Sequence, residues 1–154
     1  MSGNAPSPTV HIVDDDIAVL DSLSMLLETI GVDNKTYANA HTFLEYYQAE
    51  ELQHSLGCIV LDIRMPLMSG IECQHQLQSL NNELPIIFIT GHGDVPMAVE
   101  AMKNGAMEFI QKPFREQELL DAIQRAIQIN FWLLSQFHLM AQVVQNQAWI
   151  DAIG

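Results

Sequence analysis

Residues 57–70 read GCIVLDIRMPLMSG, an apolar run that ends on the single acid Asp62 and gives way to a Pro-containing loop. Consecutive apolar residues without alternation describe a strand buried on both faces. The same design recurs upstream, where 9–16 read TVHIVDDD, and downstream, where 86–90 (IIFIT) stop at Gly91-His92-Gly93-Asp94. Two weaker strands are expected at 34–37 and 107–111, the latter ended by Lys112-Pro113. Helical spacing fills the gaps. Ile17, Leu20, Leu23, Leu27 and Ile30 recur at three-to-four intervals before Gly31, a helix with a glycine stop. Phe43, Leu44, Tyr47 and Leu52 mark a second helix that starts near His41 or Thr42, and Ile71, Leu77 and Leu80 a third. A fourth runs over about 95–104, and the last begins near Arg115.

Strand and helix therefore alternate five times. That order, with continuously apolar strands, implies an α/β fold: a doubly wound, five-stranded parallel sheet covered by helices on both faces. Right-handed crossovers leave only a few strand orders. Ligands of such sheets bind beyond the carboxyl ends of the strands, where the order reverses. Asp14, Asp15, Asp62, Thr90 and Lys112 all fall at those ends.

Composition narrows the function. The chain has 154 residues, 49% of them hydrophobic, enough for one well-buried domain and incompatible with a disordered chain. Six Lys and Arg stand against nineteen Asp and Glu, a net charge of −13. Duplex nucleic acid carries one charge per roughly 1.7 Å of axis, so direct binding to it is not expected. A cation is the more natural ligand. Cys58 and Cys73 are read as reduced thiols, the lead-in lacks the features of a signal peptide, and no apolar run suits a membrane span. The cytoplasm is the expected compartment.

Three carboxylates converging at strand ends repel one another by on the order of 4 kcal/mol per pair at 4 Å and an effective dielectric near 20. Lys112 offsets one charge, so a divalent cation should bind; an open, all-oxygen site suits Mg²⁺ or Mn²⁺. No Cys or His spacing suits zinc. A metal beside a carboxylate prepares that carboxylate to attack phosphorus. Asp62 is the natural nucleophile, with Asp14 and Asp15 holding the metal, Lys112 neutralising a phosphoryl oxygen and Thr90 donating to another.

The motifs VDDD (13–16), LDIRMPLMSG (61–70) and ITGHGDVPMAVEAMKNGAMEFIQKPF (89–114), at these distances, resemble the receiver domain of two-component response regulators. The resemblance covers about 9–127 and is greatest to the FixJ-type subgroup, whose longer members carry a LuxR-type helix-turn-helix after the receiver. It implies the flavodoxin-like strand order 2-1-3-4-5, Asp62 as phosphoacceptor and Asp14, Asp15, Asp62 and the backbone carbonyl of Arg64 as metal ligands. It further implies Thr90 and Phe109 as switch residues, a phosphate-binding Lys112 with a cis Lys112–Pro113 peptide, and a sensor histidine kinase as partner. Phosphorylation would draw Thr90 and Lys112 inward, let Phe109 fill the vacated space and alter a surface read by a partner, with transcription regulated in the full-length context.

Several residues admit plainer roles. Asp16 suits either a water-mediated metal contact or the start of the first helix. Thr90 alone would be a strand terminator and Phe109 a core aromatic. His11 reads as a packed, hydrogen-bonded side chain, and His41, His54, His75 and His138 as surface residues. Arg64 and His92 should flank the pocket mouth, either as ordinary loop residues or as tuners of acyl-phosphate lifetime.

The sequence divides into a lead-in at 1–8, a receiver at 9–125 and an apolar helical tail at 126–154. The stretch 126–150 has no charged residue yet carries Phe131, Trp132, Leu133, Leu134, Phe137, Met140, Val143, Val144 and Trp149. It resembles no helix-turn-helix, so the chain is either a piece of a longer regulator or a regulator that stands alone. So wide an apolar helical surface should not stay exposed, and a homodimer through it is expected, folding back on its own domain being the alternative. Without Lys or Arg on its polar side, it is not expected at a membrane surface. Rival functions fit less well. An aspartyl-phosphate phosphotransferase or phosphatase needs an acid or base at position 64 and a cap, so no enzyme is expected; a flavodoxin needs a hydroxyl-rich loop where Asp14–16 stand. A stand-alone dimerisation module would not need the five-residue set.

Overall fold

The computed structural model describes residues 7–91 and 93–153, with side chains as far as 136. Its strands are β1 (Thr9–Val13), β2 (Asp33–Tyr37), β3 (Gly57–Asp62), β4 (Ile86–Thr90) and β5 (Glu108–Gln111). All pair in parallel in the order β2-β1-β3-β4-β5. Helices α1 (Ile17–Thr29), α2 (Ala40–Ala49), α3 (Gly70–Ser79) and α4 (Val95–Lys103) form the crossovers, and α5 (Glu116–Ile153) follows the last strand. The expected doubly wound α/β fold and its 2-1-3-4-5 order hold.

Continuous apolarity has its cause in the two layers of helices. Every residue of β3 is buried. Val10, Ile12, Cys58, Val60, Ile87 and Ile89 face α1 and α5, where Leu20, Leu23, Leu27, Leu119, Ala122 and Ile123 cover them. Their neighbours Val13, Ile59, Leu61 and Phe88 face the opposite way, onto Phe43 and Tyr47 of α2, Ile71 and Leu77 of α3, and Ala98 and Ala101 of α4. Burial of such side chains stabilises by about 1.5–3 kcal/mol each before chain entropy is subtracted. The two free thiols, Cys58 and Cys73, lie inside these layers, and burial pushes each up to about 12.

Helix starts follow the local chemistry. Asp16 caps α1 through Ala18 N–H (3.0 Å), Asn39 caps α2 through Thr42 N–H (2.8 Å), and Ser69 caps α3 through Glu72 N–H (3.1 Å). Of its two expected roles, Asp16 fills the helix-start one. Leu52 departs from expectation: α2 ends at Ala49, and Leu52 belongs to a separate 3₁₀ turn, Leu52–His54. The break falls at Glu51, whose φ of 51° is left-handed and cannot continue a helix. Other boundaries lie within a residue or so of those expected, as helix and strand ends do.

α5 has 38 residues and so is about 57 Å long. Its packing runs past Arg125, since Ala126 is buried and Asn130 is buried with its side-chain carbonyl accepting Gly57 N–H at 2.9 Å. That bond ties the helix to the first residue of β3. Beyond it Phe131, Trp132 and Leu133 are exposed. The side chains of Phe137, His138, Met140, Val143, Val144 and Trp149 lie outside the described residues. Among the described residues no helix is long and apolar enough to cross a membrane.

Candidate phosphoryl-acceptor site

Strand order reverses between β1 and β3, and the acids collect there. Asp14 directly follows β1, and its backbone N–H still bonds Tyr37 O at 3.1 Å. Asp62 is the last residue of β3, paired with Ile89, so Thr90 stands one step further along the neighbouring strand end. Lys112 follows β5 and is held by its backbone N–H to Thr90 O at 2.8 Å. The strand ends thus place four expected site residues without help from distant loops.

One carboxylate oxygen each from Asp14, Asp15 and Asp62 lie within 4.8 Å of one another. Asp14 and Asp62 are buried, and Asp15 is exposed. At that spacing each charged pair costs at least about 3 kcal/mol at an effective dielectric of 20. Burial, and then the charges of Asp14 and Asp15, push Asp62 up to about 7, against the pull of Lys112 and the Arg64 backbone N–H that bonds its carboxylate. Burial likewise raises Asp14, opposed by Asp16 N–H (2.9 Å from Oδ1) and by Lys112, whose Nζ lies 3.5 Å from Oδ2. One ammonium faces three acids. The donor set is wholly oxygen, two of its members are desolvated, and it fits a hard divalent cation.

Thr90 is fully buried, its hydroxyl 3.5 Å from Ile110 O. Phe109 is 37% exposed and is not a core aromatic. It pairs with Phe88 across the sheet, but β5 is the edge strand, and among the described residues no strand pairs with its outer side. The Lys112–Pro113 peptide is cis, as the resemblance implies. His92 lies outside the described residues. His11 is buried as expected, with Nδ1 2.8 Å from the Tyr37 hydroxyl and burial lowering it to about 4. His41 is exposed, His54 is exposed beside Glu83 at 2.9 Å, and His75 lies 3.3 Å from Asn104.

Besides Gln74, whose side-chain N–H bonds Ala101 O at 3.0 Å, two buried polar residues were not legible in the sequence. Asp94, 2% exposed, pairs with the Arg64 guanidinium. Its position ahead of Val95-Pro96 is the signature of a helix cap, the signal that could have drawn attention to it. Asn130 had no such signal, because its partner Gly57 is 73 residues away.

Fold and strand-end acids together define a receiver domain. The family model described as the response regulator receiver domain matches residues 10–124. The chain belongs to the response regulator receiver family and is of the FixJ type. It is 48% identical over 120 residues to the response regulator protein TodT of Pseudomonas putida F1, covering 78% of this chain and 51% of that protein. The transcriptional regulatory protein FixJ of Rhizobium meliloti strain 1021 is 48% identical over 118 residues, 77% of this chain and 56% of that protein. The solved structure of the response regulator StyR superposes with a TM-score of 0.81 at 48% identity, over 90% of this chain and 68% of that one. For the FixJ-N crystal structure the TM-score is 0.72 at 46% identity, over 79% and 94% of the two chains. The chain spans about half the length of the curated relatives it matches.

Proposed function

We propose that Asp62 accepts a phosphoryl group from a phosphohistidine of a sensor histidine kinase, and that the charge so added switches an output surface. In the transfer an Asp62 oxygen attacks phosphorus, the P–N bond breaks, and the imidazole nitrogen keeps the electron pair. Asp14, Asp15, Asp62 and the Arg64 carbonyl would hold Mg²⁺ or Mn²⁺, which when bound neutralises phosphoryl oxygens. Lys112 balances a further oxygen, and the Thr90 hydroxyl donates to another. Thr90 leaving its place beside Ile110 O would make room for Phe109, whose exposed ring is free to turn inward. The role is regulatory, in the cytoplasm and in control of transcription. What carries this reading is the approach of three carboxylates, two of them buried, to within 4.8 Å.

The test is intact mass after acetyl phosphate with Mg²⁺. The wild type is expected to gain one phosphoryl group and Asp62→Asn none. Equal labelling of the two would sink Asp62 as acceptor. No labelling of either would favour the rival reading, a receiver used only for dimerisation. An aspartyl-phosphate phosphotransferase or phosphatase is not favoured, because position 64 holds an arginine engaged with Asp94.

The stretch 126–154 serves in this reading as a dimerisation segment beyond the receiver at 9–125, after the lead-in at 1–8. Exposure of Phe131, Trp132 and Leu133 in a stretch, 126–150, that has no charged residue supports it. Burying such a side chain is worth roughly 1.5–3 kcal/mol. Trp132→Glu should therefore weaken a homodimer by tenfold or more, on the order of that energy. Sedimentation velocity checks it, and a wild type that stays monomeric at high concentration would refute it.

A further inference from the structure

Helices α1 to α4 each begin after a short polar residue, and of these four α4 alone is left without a side-chain cap. Asp16, Asn39 and Ser69 have extended backbones and bond the first turns of α1, α2 and α3. Asp94 occupies the corresponding position of α4, but its φ of −94° and ψ of 13° are not those of a cap, and its carboxylate makes no bond to the helix. Since Pro96 has no N–H, the N–H of Met97 is the donor that such a carboxylate would ordinarily take. Instead, one Asp94 oxygen holds the Arg64 guanidinium and the other accepts Gly91 N–H at 3.1 Å.

Both partners adjoin the site. Arg64 is two residues past Asp62, and its backbone N–H bonds the Asp62 carboxylate. Gly91 directly follows Thr90. Asp94 is thus buried with one bond to the loop that follows Asp62 and one to the residue that follows Thr90. Arg64 has a side chain 71% exposed, so its guanidinium can move without disturbing the core. A guanidinium fork matches phosphoryl oxygens as well as it matches a carboxylate, and it cannot serve both at full strength.

We propose that Arg64 is a positioning residue that changes partners: it leaves Asp94 for the phosphoryl oxygens on Asp62, and Asp94 then caps α4 through Met97 N–H. The exchange rests on Asp62 as acceptor and deepens that reading, because it links the added charge directly to the first turn of α4. Before phosphorylation the ion pair restrains the β4–α4 loop. Afterwards the same carboxylate completes the helix start. The coupling is one of partner competition, so it has a sign. Weakening the Arg64–Asp94 pair must favour the phosphorylated arrangement, provided that Arg64 is present to benefit.

Beryllofluoride with Mg²⁺ is the probe, titrated by calorimetry into the full chain as wild type, Asp94→Asn, Arg64→Gln and the double variant. Asp94→Asn should bind about fivefold more tightly than wild type, the scale of a partly exposed ion pair. In the Arg64→Gln background the same substitution should change affinity less than twofold, whereas a merely structural role for Asp94 would give equal effects in both backgrounds. Unchanged or weaker binding by Asp94→Asn, or an equal gain without Arg64, overturns the exchange. Should Asp94→Asn fail to fold, the wild type itself decides. The Arg64 Nε–H and Met97 backbone N–H resonances should both shift on beryllofluoride binding, and an unmoved Arg64 Nε–H refutes the proposal. A wild type that binds no beryllofluoride defeats the acceptor reading as well; binding without the exchange signature defeats the exchange alone.

Discussion

In magnesium-free buffer at pH 8, Asp62→Asn is expected to melt about 4–16 °C above the wild type, given roughly 2–4 °C per kcal/mol for a chain of this size. The reason is that Asp62 is held in a place hostile to its charge. Burial first, and the neighbouring acids second, raise its carboxyl from 3.8 to about 7. The gap corresponds to at most roughly 4 kcal/mol, and relaxation of the site brings the expected gain to about 2–4 kcal/mol. The sign follows from proton counting. Between about 3.8 and 7 the folded chain binds more protons at this position than the unfolded chain, so stability falls as pH rises through that window. Above about 7 both states are ionised and the full penalty remains; below about 3.8 both are protonated and it vanishes. Asparagine keeps an oxygen for Arg64 N–H and carries no charge. Calorimetry in a chelator at pH 8 and at pH 4 should therefore show a large difference that closes on acidification. Added Mg²⁺ should raise the wild type toward the variant by mass action and move the variant less. Equal melting points at pH 8 would mean that the acids are not crowded as described.

How much of this could be read from residues alone depended on the range of the forces involved. β1, β3 and β4 were legible because a strand covered on both faces must be apolar throughout, and a polar residue (Asp14, Asp62 or Thr90) marks where the apolar run stops. Asp14, Asp15, Asp62, Thr90 and Lys112 were legible as a set for the same reason: parallel strands bring their C-terminal ends to one edge. Leu52 misled because spacing cannot register a left-handed Glu51 that breaks the helix beforehand. The exposure of Phe109 was not legible in its strand pattern, because edge position is a property of the whole sheet. Asp94 and Asn130 were hidden by distance along the chain. Arg64 and Asp94 are 30 residues apart, and their pairing depends on how two loops approach after the sheet has formed.

Gly70→Ala sets two opposing effects against each other, and their magnitudes decide the outcome. Gly70 is the first residue of α3, where helix propensity alone would make alanine more favourable by about 1 kcal/mol. Against this, a Cβ there would stand 2.3 Å from Asp62 O, 2.9 Å from Ile63 Cα and 3.0 Å from the Phe88 ring. The first two neighbours are backbone of the segment that carries Asp62, and they cannot swing aside as a flexible side chain would. Gly70 N–H also bonds Ile63 O at 2.8 Å, which holds the start of α3 against that segment. Overpacking of this kind costs 1–3 kcal/mol or more, and with backbone on the far side the upper end applies. The net expectation is a loss of about 2–3 kcal/mol, read as a drop of roughly 4–12 °C in the melting point. Gly31→Ala provides the contrast. Nothing lies within 4 Å of its Cβ position, and only its φ of +76° is at stake, so it should lose only about 1 kcal/mol. Because the clash displaces the Asp62 carbonyl, Gly70→Ala should also blunt the rise in melting point on adding Mg²⁺, whereas Gly31→Ala should leave that rise intact. A Gly70→Ala protein as stable as the wild type would show that α3 can draw back from β3 at no cost, and the rigid support attributed to Asp62 would be lost with it.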